Sequence, residues 1–388
     1  MDKILESITR SSEAEIRKKM LPQLLSETHS KKVSRSNALV NNFVDTLGLD
    51  NVYVSTSGGK DSACVSKLCK KLYPQIKHIM FNTGLEYQAT INLAEKQGAE
   101  IIQPTTSWIK FCDKEGYPVG SKQVSKRIHD VKSGAISCAI TLFSRNYGLP
   151  DKWLHFLSDE FVDFPISQKC CNEFKKRPSH KTGLNPILGT RVQESSMRTS
   201  AWRKSGCNNY SLDYKRGVSR PISLWTDTDI EQYVNDEQVE LSEIYTQYQQ
   251  KRTGCVNCPY GAHCNNDNRF DLLKRIEPAR YDYFMSTKLR KILALSDVDI
   301  LSDLEYMLYK NLVQEDVKHW HKEAKGTDKY LAWKVRCALS IYTAAELLDG
   351  VKHISKYPMK YPIENIFEEV LKEDTDTKKE RDKWLIKI

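Results

Sequence analysis

Strand-like and helix-like segments alternate over residues 51–102, and this alternation constrains the fold more than any other feature of the sequence. Short apolar runs that begin near Val52, His78 and Glu100 are strand-like, and apolar residues spaced three or four apart between them indicate helices. Strands that alternate with crossover helices are typical of a parallel sheet. The sequence therefore predicts an α/β fold with a doubly wound, mostly parallel sheet.

Helical segments are predicted on both sides of this region. Residues 1–48 have the periodicity of two helices, a further strand is predicted at Pro186–Thr190, and a capped helix is predicted to begin near Thr226. No repeat or low-complexity linker marks a boundary. We predict a helical N-terminal extension over 1–48, a central domain over 49–268 and a helical C-terminal region over 269–388.

Basic residues are concentrated in one segment of this 388-residue chain, whose formal net charge is +9. Between Lys169 and Lys204, nine lysines and arginines stand against two acids. Such a segment suits an anionic partner, either a nucleotide's phosphates or a nucleic-acid backbone. No window is long and apolar enough to span a bilayer, and the N-terminus lacks the apolar core of a secretory signal. We therefore expect a cytoplasmic protein with no membrane partner.

A glycine turn follows the first predicted strand, in the segment Ser57-Gly-Gly-Lys-Asp-Ser62. A strand, a glycine turn and a helix start together present backbone N–H groups to an anion. The segment is not the common nucleoside triphosphate loop, because Val54 and Asp61 stand where that loop needs Gly and Ser or Thr. Adjacent glycines also exclude GxGxxG. The alternative is a turn that only joins strand to helix. The candidate phosphate-binding residues are Ser55, Ser57, Gly58, Gly59, Lys60, Asp61 and Ser62.

The Ser57–Ser62 segment resembles the pyrophosphate loop of the adenine-nucleotide alpha-hydrolase superfamily, the N-type ATP pyrophosphatases. In that superfamily the loop holds the phosphates or sulfate attached to an adenosine alpha-phosphate. The resemblance implies ATP or adenylyl sulfate as substrate, Mg2+ with ATP, and chemistry at the alpha-phosphorus.

Two later segments resemble the phosphoadenylyl-sulfate (PAPS) reductase branch of this superfamily. Phe81–Thr90 is similar to the segment after the family's second strand and implies a nucleotide-binding role for Gly84. Asn82 and Ala89 stand where the family usually has Asp and Glu. Gly189–Arg198 is similar to the family's segment with two arginines. The resemblance covers about residues 50–265.

Lys60, Arg191 and Arg198 are the candidate catalytic residues. Lys60 would supply a point charge to the phosphates. Arg191 follows a predicted strand and Arg198 stands seven residues later, so both guanidinium groups would lie near the carboxyl end of the sheet, where open α/β folds bind ligands. The alternative for the two arginines is a pair of surface salt bridges.

The eleven cysteines are unlike a disulfide framework, because their number is odd and a reducing compartment is expected. Four thiolates suit a structural zinc ion or an iron–sulfur cluster, and ligand type alone does not separate the two. The candidate metal ligands are Cys170, Cys171, Cys255, Cys258 and Cys264.

The pairs Cys170-Cys171 and Cys255-x-x-Cys258 resemble the motif that holds a [4Fe-4S] cluster in adenylyl-sulfate reductases. A set with Cys264 in place of Cys170 is similar to that of sulfur-inserting enzymes of DNA phosphorothioation and tRNA thiolation. Both resemblances imply a [4Fe-4S] cluster, with zinc as the alternative.

The nucleophilic cysteine of the family's reductases has no counterpart. Those enzymes use a Glu-Cys-Gly segment near the C-terminus, whereas the only cysteine after Cys264 is Cys337, on a predicted core helix. We therefore favour ATP pyrophosphatase-type adenylylation coupled to iron–sulfur-dependent sulfur transfer, with DNA, tRNA or a sulfur-donating protein as possible partner. The alternatives are a reductase that releases sulfite and an inactive nucleotide- or nucleic-acid-binding module.

Overall fold

A computed structural model describes residues 2–133, 148–213, 215–250, 253–264 and 267–325. The chain divides into two compact units, each built from two segments. The first unit comprises Met1–Thr105 and Cys171–Val256, and the second comprises Thr106–Cys170 and Asn257–Ile388. These boundaries differ from those predicted after residues 48 and 268, and the three-part division stays a prediction.

The α-helices of the described residues belong to both units. They are α1 Asp2–Leu25, α2 His29–Leu47, α3 Lys60–Leu72, α4 Gln88–Lys96, α5 Trp108–Glu115, α6 Lys122–Lys132, α7 Arg177–Lys181, α8 Ser196–Ser205, α9 Asp227–Asp236, α10 Glu243–Thr246, α11 Arg269–Ile276, α12 Pro278–Met285, α13 Lys288–Leu295 and α14 Leu304–Lys325. No described helix is long and apolar enough to cross a membrane.

The first unit is built around a six-stranded sheet with the strand order β3-β2-β1-β4-β6-β5. Its strands are β1 Val52–Ser55, β2 Lys77–Phe81, β3 Glu100–Ile102, β4 Asn185–Ile187, β5 Asn208–Tyr210 and β6 Gly217–Ser219. Only the β5–β6 pair is antiparallel among these strands. The predicted α/β fold with a mostly parallel sheet is confirmed.

Helices cover the central strands of the sheet. Val52, Tyr53 and Val54 of β1 are all fully buried, as expected for a parallel strand with helices on both faces. Phe43 of α2 and Leu68 of α3 join the same core cluster. Burial of such a large apolar side chain contributes about 1.5–3 kcal/mol. The second of the two predicted N-terminal helices therefore packs on the sheet's own core.

The second unit is helical among its described residues. It contains α5, α6 and α11–α14, together with a 3-10 segment at Asp151–Leu157. Trp108 packs edge-on against Tyr117 and Phe284 in its core. The predicted helical character after residue 269 is observed up to residue 325, whereas residues 326–388, with Cys337, lie outside the described residues.

Candidate functional site

The glycine loop lies at the point where the strand order of the sheet reverses. The chain builds β2 and β3 on one side of β1 and returns to place β4 on the other side. The segments after β1 and β4 therefore both lie at the carboxyl end of the sheet, where open α/β sheets bind ligands. They also approach each other closely, because a Cβ on Gly189 would lie 2.8 Å from backbone atoms of Asp61.

Ser62 and Gly58 determine the shape of the loop. The Ser62 hydroxyl donates to the Gly59 carbonyl oxygen at 2.8 Å and accepts from the Ser57 backbone N–H at 3.3 Å. Gly58 has a φ of +69°, and a Cβ there would lie 1.8 Å from Cγ2 of Thr90. Helix α3 then begins at Lys60 with no side-chain cap. The first N–H groups of α3 therefore belong to the loop itself, as an anion site at a helix start requires.

Arg191 is a buried cation that ties three segments together. Its Nε donates to Asp61 Oδ2 at 3.1 Å and its Nη2 donates to Asp227 Oδ1 at 2.8 Å. The residue is 5% exposed, and Nη1 lies 3.4 Å from the Trp225 carbonyl oxygen. Lys60 Nζ lies 3.6 Å from the same Asp227 oxygen. The structure thus brings Lys60 and Arg191 together, but it engages Arg191 with protein acceptors.

The carboxylates of this cluster differ in environment. Burial raises the pKa of Asp61, and the adjacent Arg191 opposes that shift. The hydrogen bond from Arg191 lowers the pKa of Asp227, which is largely exposed. Asp61 Oδ1 and Thr56 Oγ1 are buried without a hydrogen-bond partner among the described residues. Buried polar atoms are normally paired, so both oxygens are candidates to pair with a ligand, a water or an ion.

Arg198 forms a surface ion pair, which is the alternative predicted for it. Its side chain is about half exposed, and its Nε lies 3.7 Å from Glu194 one turn earlier. Exposed pairs of this kind contribute about 0–1 kcal/mol. In the part of the chain that the structure describes, no hydrogen bond or ion pair joins Arg198 to the glycine loop.

The turn after β2 contains the predicted Gly84. Gly84 has a φ of +77°, and its N–H donates to Asn82 Oδ1 at 2.8 Å. The Asn82 amide also donates to Gln103 Oε1 at 3.1 Å. Asn82, which replaces the family's Asp, therefore stabilises the turn itself. Ser55 is the last residue of β1.

Tyr245 and Thr253 belong to the loop region, although the sequence analysis missed them. The Tyr245 hydroxyl accepts from the Lys60 N–H at 3.3 Å and from the Thr253 N–H at 3.1 Å. It also lies 2.9 Å from Thr253 Oγ1. No motif marks either residue, since 185 positions separate Tyr245 from Lys60. The Tyr245 hydroxyl oxygen thus accepts a hydrogen bond from a backbone N–H of the loop. It also links the loop to the segment before Cys255.

Two of the predicted metal ligands, Cys171 and Cys255, belong to the first unit, where Lys175 interacts with both. Attraction to Cys255 raises the pKa of Lys175, with smaller contributions from Glu86 and Cys171. Burial raises the pKa of the Cys255 thiol, and Lys175 opposes that shift. The Thr83 hydroxyl lies 3.9 Å from Cys255 Sγ. An ammonium group beside two thiols favours their thiolate forms.

The other predicted ligands, Cys170, Cys258 and Cys264, belong to the second unit. Cys170 is buried, Cys258 is half-buried and Cys264 is exposed. Among the described residues, no group of three or more His, Cys, Asp or Glu side chains is placed to hold a metal ion. The predicted ligand set therefore stays a prediction.

Cys64 and Cys69 are buried in the core of the first unit. Burial raises the pKa of the Cys64 thiol to about 12 and that of Cys69 further. Both thiols are therefore protonated and unreactive at neutral pH.

Comparison with known protein families finds a match to part of the chain. Residues 149–260 match the family model described as the phosphoadenosine phosphosulfate reductase domain. This range is less than a third of the chain; it includes Arg191, Arg198 and four of the five candidate ligand cysteines, and it excludes the glycine loop.

A crystal structure of phosphoadenylyl-sulfate (PAPS) reductase from Candida auris, a phosphate complex, is among the similar solved structures. It is 14% identical, with a TM-score of 0.35, and the match covers 61% of this chain and 93% of that chain. No curated protein matches the chain. Over residues 149–260 the chain thus carries a phosphoadenosine phosphosulfate reductase domain, as predicted, whereas the adenylyl-sulfate-reductase-like cysteine motif stays a prediction.

Proposed function

We propose that this protein is an adenine-nucleotide enzyme that adenylylates a substrate with ATP and releases pyrophosphate, coupled to iron–sulfur-dependent sulfur transfer. The observation that carries the proposal is the Ser57–Ser62 loop. It lies at the switch point of the sheet, leads directly into α3, and contains Lys60. This arrangement suits the two terminal phosphates of a nucleotide.

The loop would bind the β- and γ-phosphates of ATP through backbone N–H groups and Lys60. A phosphate oxygen is a stronger acceptor than the Tyr245 hydroxyl, so it would take over the Lys60 N–H. Lys60 Nζ would likewise exchange Asp227 for a phosphate. A substrate oxygen attacks the alpha-phosphorus, the bond to the bridging oxygen breaks, and these donors stabilise the charge on the departing pyrophosphate.

Arg191 would act as a positioning residue. Its guanidinium is buried against Asp61 and Asp227, so it fixes Asp61 at the first turn of α3. The unpaired Asp61 Oδ1 suits a water bound to the Mg2+ that accompanies ATP. Mg2+ would neutralise phosphate charge when bound. Arg198 is left without a catalytic role in this arrangement.

The thiol-ligated cofactor is part of the proposal. Thiolates suit both a [4Fe-4S] cluster and zinc, and Lys175 offers positive charge beside Cys171 and Cys255 to offset that of the thiolates. A bound cluster would supply sulfur or redox chemistry. An anaerobic absorbance spectrum with iron and zinc analysis distinguishes the two cofactors.

The test is pyrophosphate release from ATP by the anaerobically reconstituted full-length protein. We expect release by the wild type, loss in Lys60→Ala, and retention in Lys67→Ala, which removes a lysine two turns farther along α3. Equal activity of Lys60→Ala and wild type would show that the loop does not hold the reacting nucleotide.

A reductase of adenylyl sulfate or phosphoadenylyl sulfate is the second candidate, and the matched family domain favours it. Sulfite release from labelled adenylyl sulfate with thioredoxin, abolished by one Cys substitution after residue 264, would establish it and exclude our preference.

An inactive binding module is the third candidate, favoured by Asn82 and Ala89 at positions where the family has acids. Several cations of the basic segment are exposed in the first unit, among them Lys176, Lys181 and Lys204. No turnover with any adenine nucleotide, together with a salt-sensitive mobility shift of DNA or tRNA, would support this candidate.

A further inference from the structure

A cleft of about 510 Å³ lies entirely within the second unit. It is formed by the 3-10 segment Asp151–Leu157, the end of α13 and the face of α14. Its volume is in the range of small-molecule sites. None of its lining residues belongs to the glycine loop or to the candidate metal ligands.

The charge of the cleft is positive. Lys152, Lys318 and Lys322 line it, and all three are exposed. The only carboxylate among the described lining residues is Asp297, which pairs with Lys310 at 2.7 Å. The lysines thus outnumber the acids, and the one acid is already neutralised, so an anion is attracted to this cleft.

Two histidines give the cleft a fixed polar wall. His155 Nε2 lies 3.0 Å from the Leu295 carbonyl oxygen, and because a carbonyl only accepts, Nε2 carries the proton. His155 Nδ1 then accepts, so His321 Nε2, at 3.3 Å, donates to it. Burial, together with His321, lowers the pKa of His155 to about 4, which agrees with this neutral form.

Among the buried polar atoms of the lining, Ser296 Oγ and His263 Nδ1 have no hydrogen-bond partner among the described residues. Ser296 is 4% exposed, so its hydroxyl has little access to bulk water. Such atoms are normally paired in folded proteins. Trp153, which packs edge-on against His263 at 4.9 Å, adds an aromatic surface beside them.

We infer that this cleft binds a small phosphorylated molecule. Its phosphate group lies among Lys152, Lys318 and Lys322, and the Ser296 hydroxyl donates to it. Charge-assisted hydrogen bonds to lysine are the strong contacts expected of such a site. The inference does not depend on the proposed function, because the glycine loop takes no part in it.

The test uses the full-length Lys60→Ala variant, in which the loop is disabled, with inorganic pyrophosphate as probe in isothermal titration calorimetry. We expect one saturable site that weakens at least about tenfold when Lys318→Glu and Lys322→Glu are added. The control adds Lys110→Glu and Lys114→Glu, two exposed positions on α5 with the same charge change, and leaves affinity within about twofold.

Ser296→Ala provides a second readout that a folding defect does not mimic. It removes an unpaired buried hydroxyl, so we expect an unchanged thermal unfolding midpoint and a probe affinity lowered about threefold or more. The inference is overturned if Lys60→Ala shows no saturable binding, or if the α5 control weakens binding as much as the α14 pair. If the proposed function alone fails, wild type and Lys60→Ala bind the same single equivalent.

Discussion

Gly58→Ala probes the loop most directly, because two separate costs are visible in the structure. A φ of +69° costs a residue with a Cβ roughly 1–2 kcal/mol. The new Cβ would also meet Cγ2 of Thr90 at 1.8 Å, and Thr90 is 1% exposed, so it has little space to move. Overpacking of this kind costs about 1–3 kcal/mol. We expect the free energy of unfolding to fall by about 2–5 kcal/mol in urea denaturation.

Gly98→Ala is the matched control. Gly98 has a φ of +77°, but nothing lies within 4 Å of a Cβ built there. It therefore carries the backbone cost alone, about 1–2 kcal/mol. If Gly58→Ala costs no more than Gly98→Ala, the steric part of the reasoning is refuted.

Thr90→Ser isolates the clash, because serine lacks Cγ2 and the next atom, Cβ, lies 3.2 Å from the new methyl. In a double-mutant cycle we expect Thr90→Ser to restore about 1–3 kcal/mol to Gly58→Ala. ATP binding should weaken at least about tenfold in Gly58→Ala and recover in part in the double variant. A coupling energy of zero would contradict the proposed contact.

Three further variants test the surroundings of the loop. Arg191→Met leaves the largely buried Asp61 carboxylate without its cation, so we expect a loss of about 3–5 kcal/mol in urea denaturation, against at most about 1 kcal/mol for Arg198→Ala; similar losses would contradict the buried ion pair. Tyr245→Phe removes the acceptor of two backbone N–H groups and should cost about 1 kcal/mol, yet ATP affinity by calorimetry should not fall, because phosphate replaces that acceptor. Burial raises the pKa of Asp229, but hydrogen bonds from its neighbours outweigh burial and lower it overall. Its stabilisation is present above the ordinary Asp pKa of about 4 and is lost as pH falls through the lowered value, so Asp229→Asn should flatten that acid limb of the stability curve.

The sequence by itself determined the local structure of the first unit. The predicted strands at Val52, His78 and Glu100 are β1, β2 and β3, and the helix predicted near Thr226 is α9 with Thr226 as its cap. Such elements are readable because periodicity and capping depend on residues a few positions apart. Strands β5 and β6 escaped prediction, because three-residue strands of mostly polar or small residues carry no periodic signal.

The site was predictable as chemistry and only in part as geometry. Adjacent glycines before Lys60 indicated an anion-binding turn, because few other residues adopt a backbone conformation with positive φ. The steric requirement for glycine at position 58, which Thr90 imposes, was not predictable from the sequence, since it depends on how α4 packs against the loop. The cysteines indicated thiol chemistry, but the sequence does not give the distances between their sulfur atoms.

Only the tertiary structure separated Arg191 from Arg198. In the sequence both are basic residues that follow a strand, whereas in the fold Arg191 is buried against Asp61, 130 positions away, and Arg198 lies exposed on a helix. Tyr245 likewise contacts the loop only because of the fold, since 185 positions separate it from Lys60. Sequence patterns report the faces and ends of local elements. Long-range pairs depend on which elements pack together, because only packing repays the chain entropy lost when distant segments meet.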